Sequence, residues 1–366
     1  MAFAYLFKSG RKERLGNDIA DGPTEFFFGY PQLRESGLDV DLWQDNDFGL
    51  DKSPSWLWRA VNHLAWFALG LPLWATYRLA RRDARALLER YDAVFVTTNA
   101  FGIALALLKR LGLWRPRVIF IAMGLVGAAP PPLIHWVYGR ILRHVTLAVI
   151  SRAEREHLAA LFPEIDVNYV PFGVDHRFWA PGDGNEQGDY VLSVGNDSHR
   201  DYDTLVRAWR PNFPELRIVT RLAIPAPLPA NVKVVAGDWR AQVLSDAVLR
   251  DMVRTSRFVV VPVCDTMQPS GQSACLQAMA CGKAVVLSDI AGLWDRRLMR
   301  HGENCILVKP GDAEALGRSV RDLLDSPDVM QAIGQAAHRT VEDHLNVDAM
   351  ARAVQALFLE NQANAV

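Results

Sequence analysis

Three short stretches of this chain set anion-holding groups beside the end of an apolar run and the start of a helix. In Val194–Tyr202, VGNDSHRDY, the run ends at Gly195 and Asn196, and Asp201 can cap a helix with Leu205, Ala208 and Trp209 on one face. Arg200 stands just before that helix. Free N–H groups and the helix dipole favour negative charge there, and a guanidinium adds charge-assisted hydrogen bonds to phosphate. Thr220–Arg221, after the run LRIVT, puts another guanidinium at the same sheet edge. In Gln268–Leu287, QPSGQSACLQAMACGKAVVL, Ser270 and Gly271 open a helix expected from about Gln272 to Cys281, Gly282 ends it, and AVVL follows as a strand. Each arginine alone also reads as a solvated surface cation, the commoner case for one near a helix start such as Arg200, and a helix start at strand ends is a generic feature.

These loops need sheets to carry them. Apolar runs at Ala4–Phe7, Asp39–Leu42, Ala93–Thr97, Val118–Ala122, Leu147–Ile150 and Val167–Val170 alternate with helical stretches such as Thr24–Glu35, Phe101–Leu111 and Arg152–Leu161. A second series comprises Tyr190–Val194, Leu216–Thr220, Val232–Val235, Phe258–Val261, Ala284–Leu287 and Cys305–Val308. Short branched runs separated by helices predict α/β architecture, with two doubly wound, Rossmann-like parallel sheets covered on both faces. Ligands of such sheets bind beyond the carboxyl ends of the strands. The polar stretch Ala180–Asp189 marks the domain boundary, and Met350, Val354, Leu357 and Phe358 give the last helix one apolar face. The expected division is therefore 1–180, 181–345 and a returning C-terminal helix in 346–366.

Composition narrows the class. The 366 residues are 50% hydrophobic and 22% charged with a net charge of -1, a globular balance with no field to draw nucleic acid. The four cysteines form no CxxC pair and read as buried free thiols of a reducing compartment. The N-terminus has its charges after a short apolar segment, the reverse of a signal peptide, so a cytoplasmic location is expected. Residues 55–82 hold four of the eleven tryptophans with Arg59, Arg78, Arg81 and Arg82 around them. The uncharged part, His63–Tyr77, is shorter than the ~20 residues that span a bilayer. Two readings stay open: a helix in the headgroup layer, making the protein peripheral on the inner membrane face, and a covering helix packed on the first sheet.

From Tyr190 to about His344 the chain resembles the nucleotide-binding domain of GT-B glycosyltransferases, in particular the retaining family four, glycosyl transferases group 1. The blocks run in order: VPFGVDHRFWAP, YVLSVG with RDYDTLVRAW, LQAMACGKAVVLSDIAGLWD, and HGENCILVKPGDAEALGRSVRDLL. The family's two glutamates, seven residues apart, correspond to Pro269 and Gln277; its arginine after the loop glycine corresponds to Asn196, and its lysine is best matched by Arg200. In many members the second glutamate holds the ribose. Replacing it by Gln277 exchanges a charge-assisted bond of ~1.5–3 kcal/mol for one of ~0.5–1.5. It also removes an anion whose repulsion with a diphosphate at ~6 Å is roughly 3 kcal/mol at an effective dielectric of 20. The two effects are comparable, so nucleotide binding should survive, with Gln272 and the Ser270–Ser273 backbone contacting the donor sugar.

The resemblance implies a GT-B fold, two domains facing a central cleft, and a retaining hexosyltransferase of polysaccharide or glycolipid synthesis with no obligatory metal. The donor would be a UDP-sugar ahead of a GDP-sugar, and the acceptor lipid-linked or a glycan. Arg200, Arg221 and Gln272 would stabilise the departing diphosphate, with Gly195, Asn196, Ser270, Gly271, Ser273 and Gln277 holding the donor. In the acceptor-binding first domain, the loop Gly10–Thr24 carries Arg11, Asp21 and Gly22; Glu25 follows it, and Asn99 follows a later strand. Alternatives are a sugar-nucleotide epimerase of the same fold and a non-catalytic GT-B-like subunit. A metal-dependent transferase would use the D-x-D pairs Asp39–Asp41 or Asp45–Asp47. No GxGxxG follows either opening strand, which argues against a dinucleotide-binding dehydrogenase.

Overall fold

The computed structural model describes residues 1–18, 22–52, 55–182, 188–224, 226–237 and 244–360. Every apolar run expected to be a strand is one, with ends shifted by at most two residues. β1 (Ala2–Phe7), β2 (Asp39–Gln44), β3 (Ala93–Val96), β4 (Arg117–Ala122), β5 (Thr146–Val149) and β6 (Val167–Tyr169) form a parallel sheet in the order β2-β1-β3-β4-β5-β6. β7 (Tyr190–Val194), β8 (Glu215–Thr220), β9 (Val232–Ala236), β10 (Val259–Val261), β11 (Val285–Ser288) and β12 (Ile306–Val308) form another, ordered β12-β11-β10-β7-β8-β9. All residues of β3, β7 and β10 are buried, as strands covered on both faces must be.

The strand orders fix where ligands can bind. In the first sheet the winding direction reverses between β1 and β3, and in the second between β7 and β10. A crevice opens beyond the carboxyl ends of the strands at such a reversal. The loops after β7 and β10 contain Arg200 and Gly271, and the helices that follow β1 and β3 open at Arg11 and Asn99.

The chain divides into two compact units, one of 1–19, 27–171 and 350–366, the other of 20–26 and 172–349. A segment of the N-terminal region thus belongs with the second sheet, and most of the last helix, Val347–Leu359, with the first. In the first unit Phe358 lies with its ring centroid 4.5 Å from that of Phe3, 5.8 Å from Tyr5 and 6.0 Å from Phe95. Gly29 has φ +81 and meets that helix so closely that a Cβ would stand 2.7 Å from Ala351 Cα.

Four local expectations are corrected. Thr24–Glu35 is not one helix: a 3-10 turn at Glu25–Phe27 is cut from the Tyr30–Glu35 helix by the positive φ of Phe28 (50) and Gly29 (81). The loop after β1 is helical over Arg11–Asp18, because the Gln44 Oε1 oxygen accepts from the backbone N–H groups of Arg11 (2.6 Å) and Lys12 (3.0 Å). Cys264 is exposed, while Cys275, Cys281 and Cys305 are buried; all four are free. Residues 55–82 break into Trp56–Leu69 and Leu73–Ala80, separated by Gly70 at φ +66 and by Pro72. The second helix buries Ala75 and Leu79 in the first core, whereas the first leaves much of its apolar surface exposed. No helix among the described residues is long and apolar enough to cross a membrane.

Phe358 is 2% exposed, so Phe358→Ala should destabilise the first unit by roughly 3–5 kcal/mol. Urea unfolding followed by proteolysis of each unit would show it, with the second unit's midpoint unchanged.

Candidate functional site

At the reversal point of the second sheet, the loop after β7 lies along the chain leaving β10. Arg200 forms an antiparallel bridge with Val263, Cys264 N–H donates to His199 O at 2.8 Å, and Asp201 N–H donates to Pro262 O at 3.1 Å. These bonds carry the Arg200 side chain under the backbone, where it is 3% exposed. Its Nε is 2.9 Å from Asp197 Oδ2, and Ser270 Oγ donates to the other carboxylate oxygen. Nη1 is buried and has no hydrogen-bond partner among the described residues. A guanidinium kept from water with an unused N–H edge has the chemistry to take an anionic oxygen.

Both glycines beside it are dictated by this packing. A Cβ at Gly195 would stand 1.9 Å from Arg200 Nε. At Gly271, which has φ +80, it would stand 2.7 Å from Val261 Cγ1 and 3.1 Å from Arg200 Nη1. Gly271, against Arg200 Nη1, is also the N-cap of the Gln272–Ala280 helix and supplies no capping side chain to its first turn. At the far end Gly282 adopts φ +73; its N–H donates to Met279 O at 2.9 Å and Lys283 N–H donates to Ala278 O at 3.0 Å. That helix matches the sequence expectation to within one residue.

Asn196 works on the backbone. Its Nδ2 donates to Gly237 O at 2.6 Å, and its Oδ1 accepts from Arg221 N–H at 2.7 Å and from Thr220 Oγ1 at 3.1 Å. Asn196 thereby ties together the loops after β7, β8 and β9, and holds Arg221, which is exposed, at the edge of the site. Gly195, Asn196, Arg200, Arg221, Ser270 and Gly271 thus lie together, with Asp197 linking Ser270 to Arg200. Gln272, 3% exposed, and the half-buried Ser273 begin the same helix. Trp239 and Arg240, which could border a base after β9, lie outside the described residues.

Gln277 faces a different partner. Its Nε2 donates to Glu25 Oε1 at 2.9 Å, and Trp179 Nε1 donates to the same oxygen at 3.0 Å. Asp175 N–H approaches Glu25 Oε2 at 3.3 Å, and Asp175 Oδ2 accepts from Thr24 N–H (3.1 Å) and Oγ1 (2.7 Å). Glu25, expected on the acceptor side, therefore belongs to the second unit, where it is 0% exposed. Burial pushes its carboxyl up to about 6, with the Asp175 charge adding to the shift and the Gln277 and Trp179 hydrogen bonds opposing it. Sequence reasoning missed Asp197, Asp175 and Trp179. The three-residue spacing of Asp197 and Arg200 was the available signal for the ion pair; for Glu25 it was a carboxylate alone in the apolar run TEFFF.

In the first unit, Asn99 Nδ2 donates to Met123 O at 3.0 Å and Asn99 Oδ1 accepts from Met123 N–H at 3.3 Å. Glu154 Oε1 accepts from Leu125 N–H at 3.0 Å, so the loop after β4 is clamped from both ends. Burial raises the Glu154 carboxyl to about 7. Arg11 packs its guanidinium 5.6 Å from the Phe7 ring centroid and 6.0 Å from that of Phe27. Gly22 lies in the segment assigned to the second unit, and Asp21 is outside the described residues. The D-x-D carboxylates serve local structure: Asp41 accepts from Tyr91 and Arg90, Asp45 from Ser9 N–H at 2.7 Å, and Asp47 from Gln44 N–H at 2.8 Å.

Residues 188–326 match the family model of glycosyl transferases group 1. Among solved structures the chain is similar to a sucrose-phosphate synthase from Thermosynechococcus elongatus, at TM-score 0.71 and 17% identity over 100% of both chains. It is similar to a glycosyltransferase from Rickettsia africae, at TM-score 0.69 and 14% identity, covering 100% of this chain and 99% of that one. HepE of Anabaena, in complex with UDP and glucose, aligns at TM-score 0.66 and 13% identity over 98% and 99% of the two chains. No curated protein matches the sequence. The fold is that of GT-B glycosyltransferase structures.

Two results should follow from the buried carboxyls. The folded carboxyls of Glu25 and Glu154 titrate above the ordinary value of 4.5, so the folded chain holds more protons than the unfolded one between about 4.5 and, respectively, about 6 and about 7. Stability must fall as pH rises through those windows, by on the order of 2 kcal/mol for Glu25. Glu25→Gln should flatten the fall in the melting temperature over the lower window, and Glu154→Gln over both. Gln277→Glu would set two carboxyls at hydrogen-bond distance and should lower the melting temperature at pH 8, with Glu25→Gln in the same chain restoring it. Equal melting temperatures for Gln277→Glu and the parent would contradict this coupling.

Proposed function

We propose that this protein is a glycosyltransferase that takes a nucleoside-diphosphate sugar, a UDP-sugar in preference to a GDP-sugar, and transfers the sugar with retention to a lipid-linked or glycan acceptor. The observation that carries the reading is the buried Arg200 guanidinium, whose unused Nη1 edge lies beside the uncapped start of the Gln272–Ala280 helix. The group 1 family match over residues 188–326 and the UDP held by HepE of Anabaena support it.

Transfer breaks the bond between the anomeric carbon and the diphosphate oxygen, forms one to an acceptor hydroxyl, and releases that hydroxyl's proton. Negative charge grows on the leaving diphosphate. Donors already fixed where this charge develops need no reorganisation, which is the largest expected contribution to such a step. Arg200 Nη1 and the N–H groups of Gln272 and Ser273 take the phosphate oxygens, and Arg221 adds a mobile cation at the rim. Ser270 holds Asp197 against Arg200 and so orients the guanidinium. Gln272 faces the donor sugar. No metal is required, because these groups supply the positive field. Asn99 and Arg11, at the reversal point of the first sheet, belong to acceptor binding.

A thermal-shift series with UDP, GDP and their monophosphates tests the donor reading. UDP should raise the melting temperature more than UMP, and Arg200→Ala should weaken UDP binding by about 10–100-fold, the value of a charge-assisted bond of ~1.5–3 kcal/mol. Chelation of divalent ions should leave both binding and transfer unchanged. If neither UDP nor GDP shifted the melting temperature, the donor site would be misassigned. Formation of an epimer from UDP-sugar alone would make the protein an epimerase instead.

A further inference from the structure

The Trp56–Leu69 helix is apolar on both sides, and only one side is covered. On its inner side Trp58 stacks on Tyr77 with centroids 5.3 Å apart, Ala65 is buried, and Asn62 Oδ1 accepts from Trp74 N–H at 2.9 Å. These contacts fix the helix on its neighbour, Leu73–Ala80. On the outer side Trp56 is 74% exposed, Leu57 57%, Leu64 67% and Phe67 79%. At 100° per residue these four positions fall within one arc, opposite Asn62. A helix ordinarily buries its apolar faces, so this uncovered one is built for contact.

The neighbouring surface has the same character. Tyr138 donates to Gly70 O at 3.0 Å, which ties the Pro132–Ile141 helix to the end of Trp56–Leu69. That helix leaves Leu133 49% and Trp136 56% exposed, with the Arg140 guanidinium 3.9 Å from the Trp136 ring centroid. Arg59, His63, Arg82 and Arg140 are all exposed, and neither 55–82 nor 132–141 contains a single Asp or Glu. An arginine-flanked apolar face free of carboxylates is complementary to an anionic surface with an apolar interior. A second copy of this chain would bring the same cations together with no carboxylate in either segment to neutralise them, which disfavours self-association. Since no helix among the described residues can cross a bilayer, the contact lies along the interface.

We propose that the outer face of Trp56–Leu69, together with Leu133 and Trp136, docks in the headgroup layer of a membrane containing anionic lipid. The apolar side chains enter the acyl boundary, the tryptophan rings sit at headgroup depth, and Arg59, Arg82 and Arg140 meet lipid phosphates. The docking does not depend on the donor reading.

Co-sedimentation of the full chain with phosphatidylcholine vesicles, with and without phosphatidylglycerol, tests it. Binding should require or strongly favour phosphatidylglycerol and weaken with added salt. The double variant Leu64→Ser, Phe67→Ser should lower partitioning at least ~tenfold, since two exposed apolar side chains lose their burial, with no fall in melting temperature. Arg59→Glu should reduce binding to the anionic vesicles alone. Failure to bind either vesicle, binding unaltered by the double variant, or a dimer that the double variant dissociates would each overturn the proposal, the last by making a second copy the occupant.

Discussion

The carboxyl of Glu25 is wholly buried, with N–H groups of Gln277, Trp179 and Asp175 around it. Such a group is tolerated only where donors replace its water, so everything near it is constrained. Residue 277 must offer an N–H and cannot be a second carboxylate without severe repulsion. Trp179 must turn its indole nitrogen inward. Asp175 must direct its own carboxylate elsewhere, to Thr24, and it does so with both donors of that residue. The short segment ending at Phe26 is thereby fixed to the second sheet's unit, although both of its sequence neighbours belong with the first.

This changes the meaning of the glutamine. Compared with the motif that this stretch resembles, Gln277 looked like a lost negative charge. The charge has been moved: a carboxylate from another part of the sequence meets the amide at 2.9 Å. Amide and carboxylate at these two positions form a matched pair, and the pair could have been arranged in either order. Sequence position alone placed Glu25 with its neighbours in the first domain. A contact spanning 252 positions leaves no local periodicity, which is why it could not be read from the sequence.

By contrast, the sheets were almost wholly legible. Runs such as VVV at β10 and AVFV at β3 are short and rich in branched and aromatic residues, which favours strands between covering helices. The helix opened by Gly271 and closed at Gly282 was legible because both glycines adopt positive φ, a demand that only glycine meets cheaply. Legibility failed where a side chain from elsewhere decides the backbone. Gln44, at the end of β2, caps the helix after β1, and Ala351 leaves no room for a Cβ at residue 29. Neither effect has a signature within ten residues of the place it acts.

The Arg200–Asp197 pair shows why the site is assembled this way. A bare guanidinium at 3% exposure would cost several kcal/mol, and full neutralisation would leave nothing for a ligand. Asp197 meets the Nε side, Ser270 holds Asp197 in that position, and Nη1 remains turned toward the start of a helix that has no capping side chain. In the proposed donor site a dianion bound there would complete the coordination of a charge that is already buried, most of whose desolvation has been met during folding. The glycines at 195 and 271 follow from the same requirement, since a methyl group at either would push into the guanidinium. The charge balance of the site is therefore set by Asp197, a residue with no place in the motif, and its strength toward anions should be tuned there more than at the exposed Arg221.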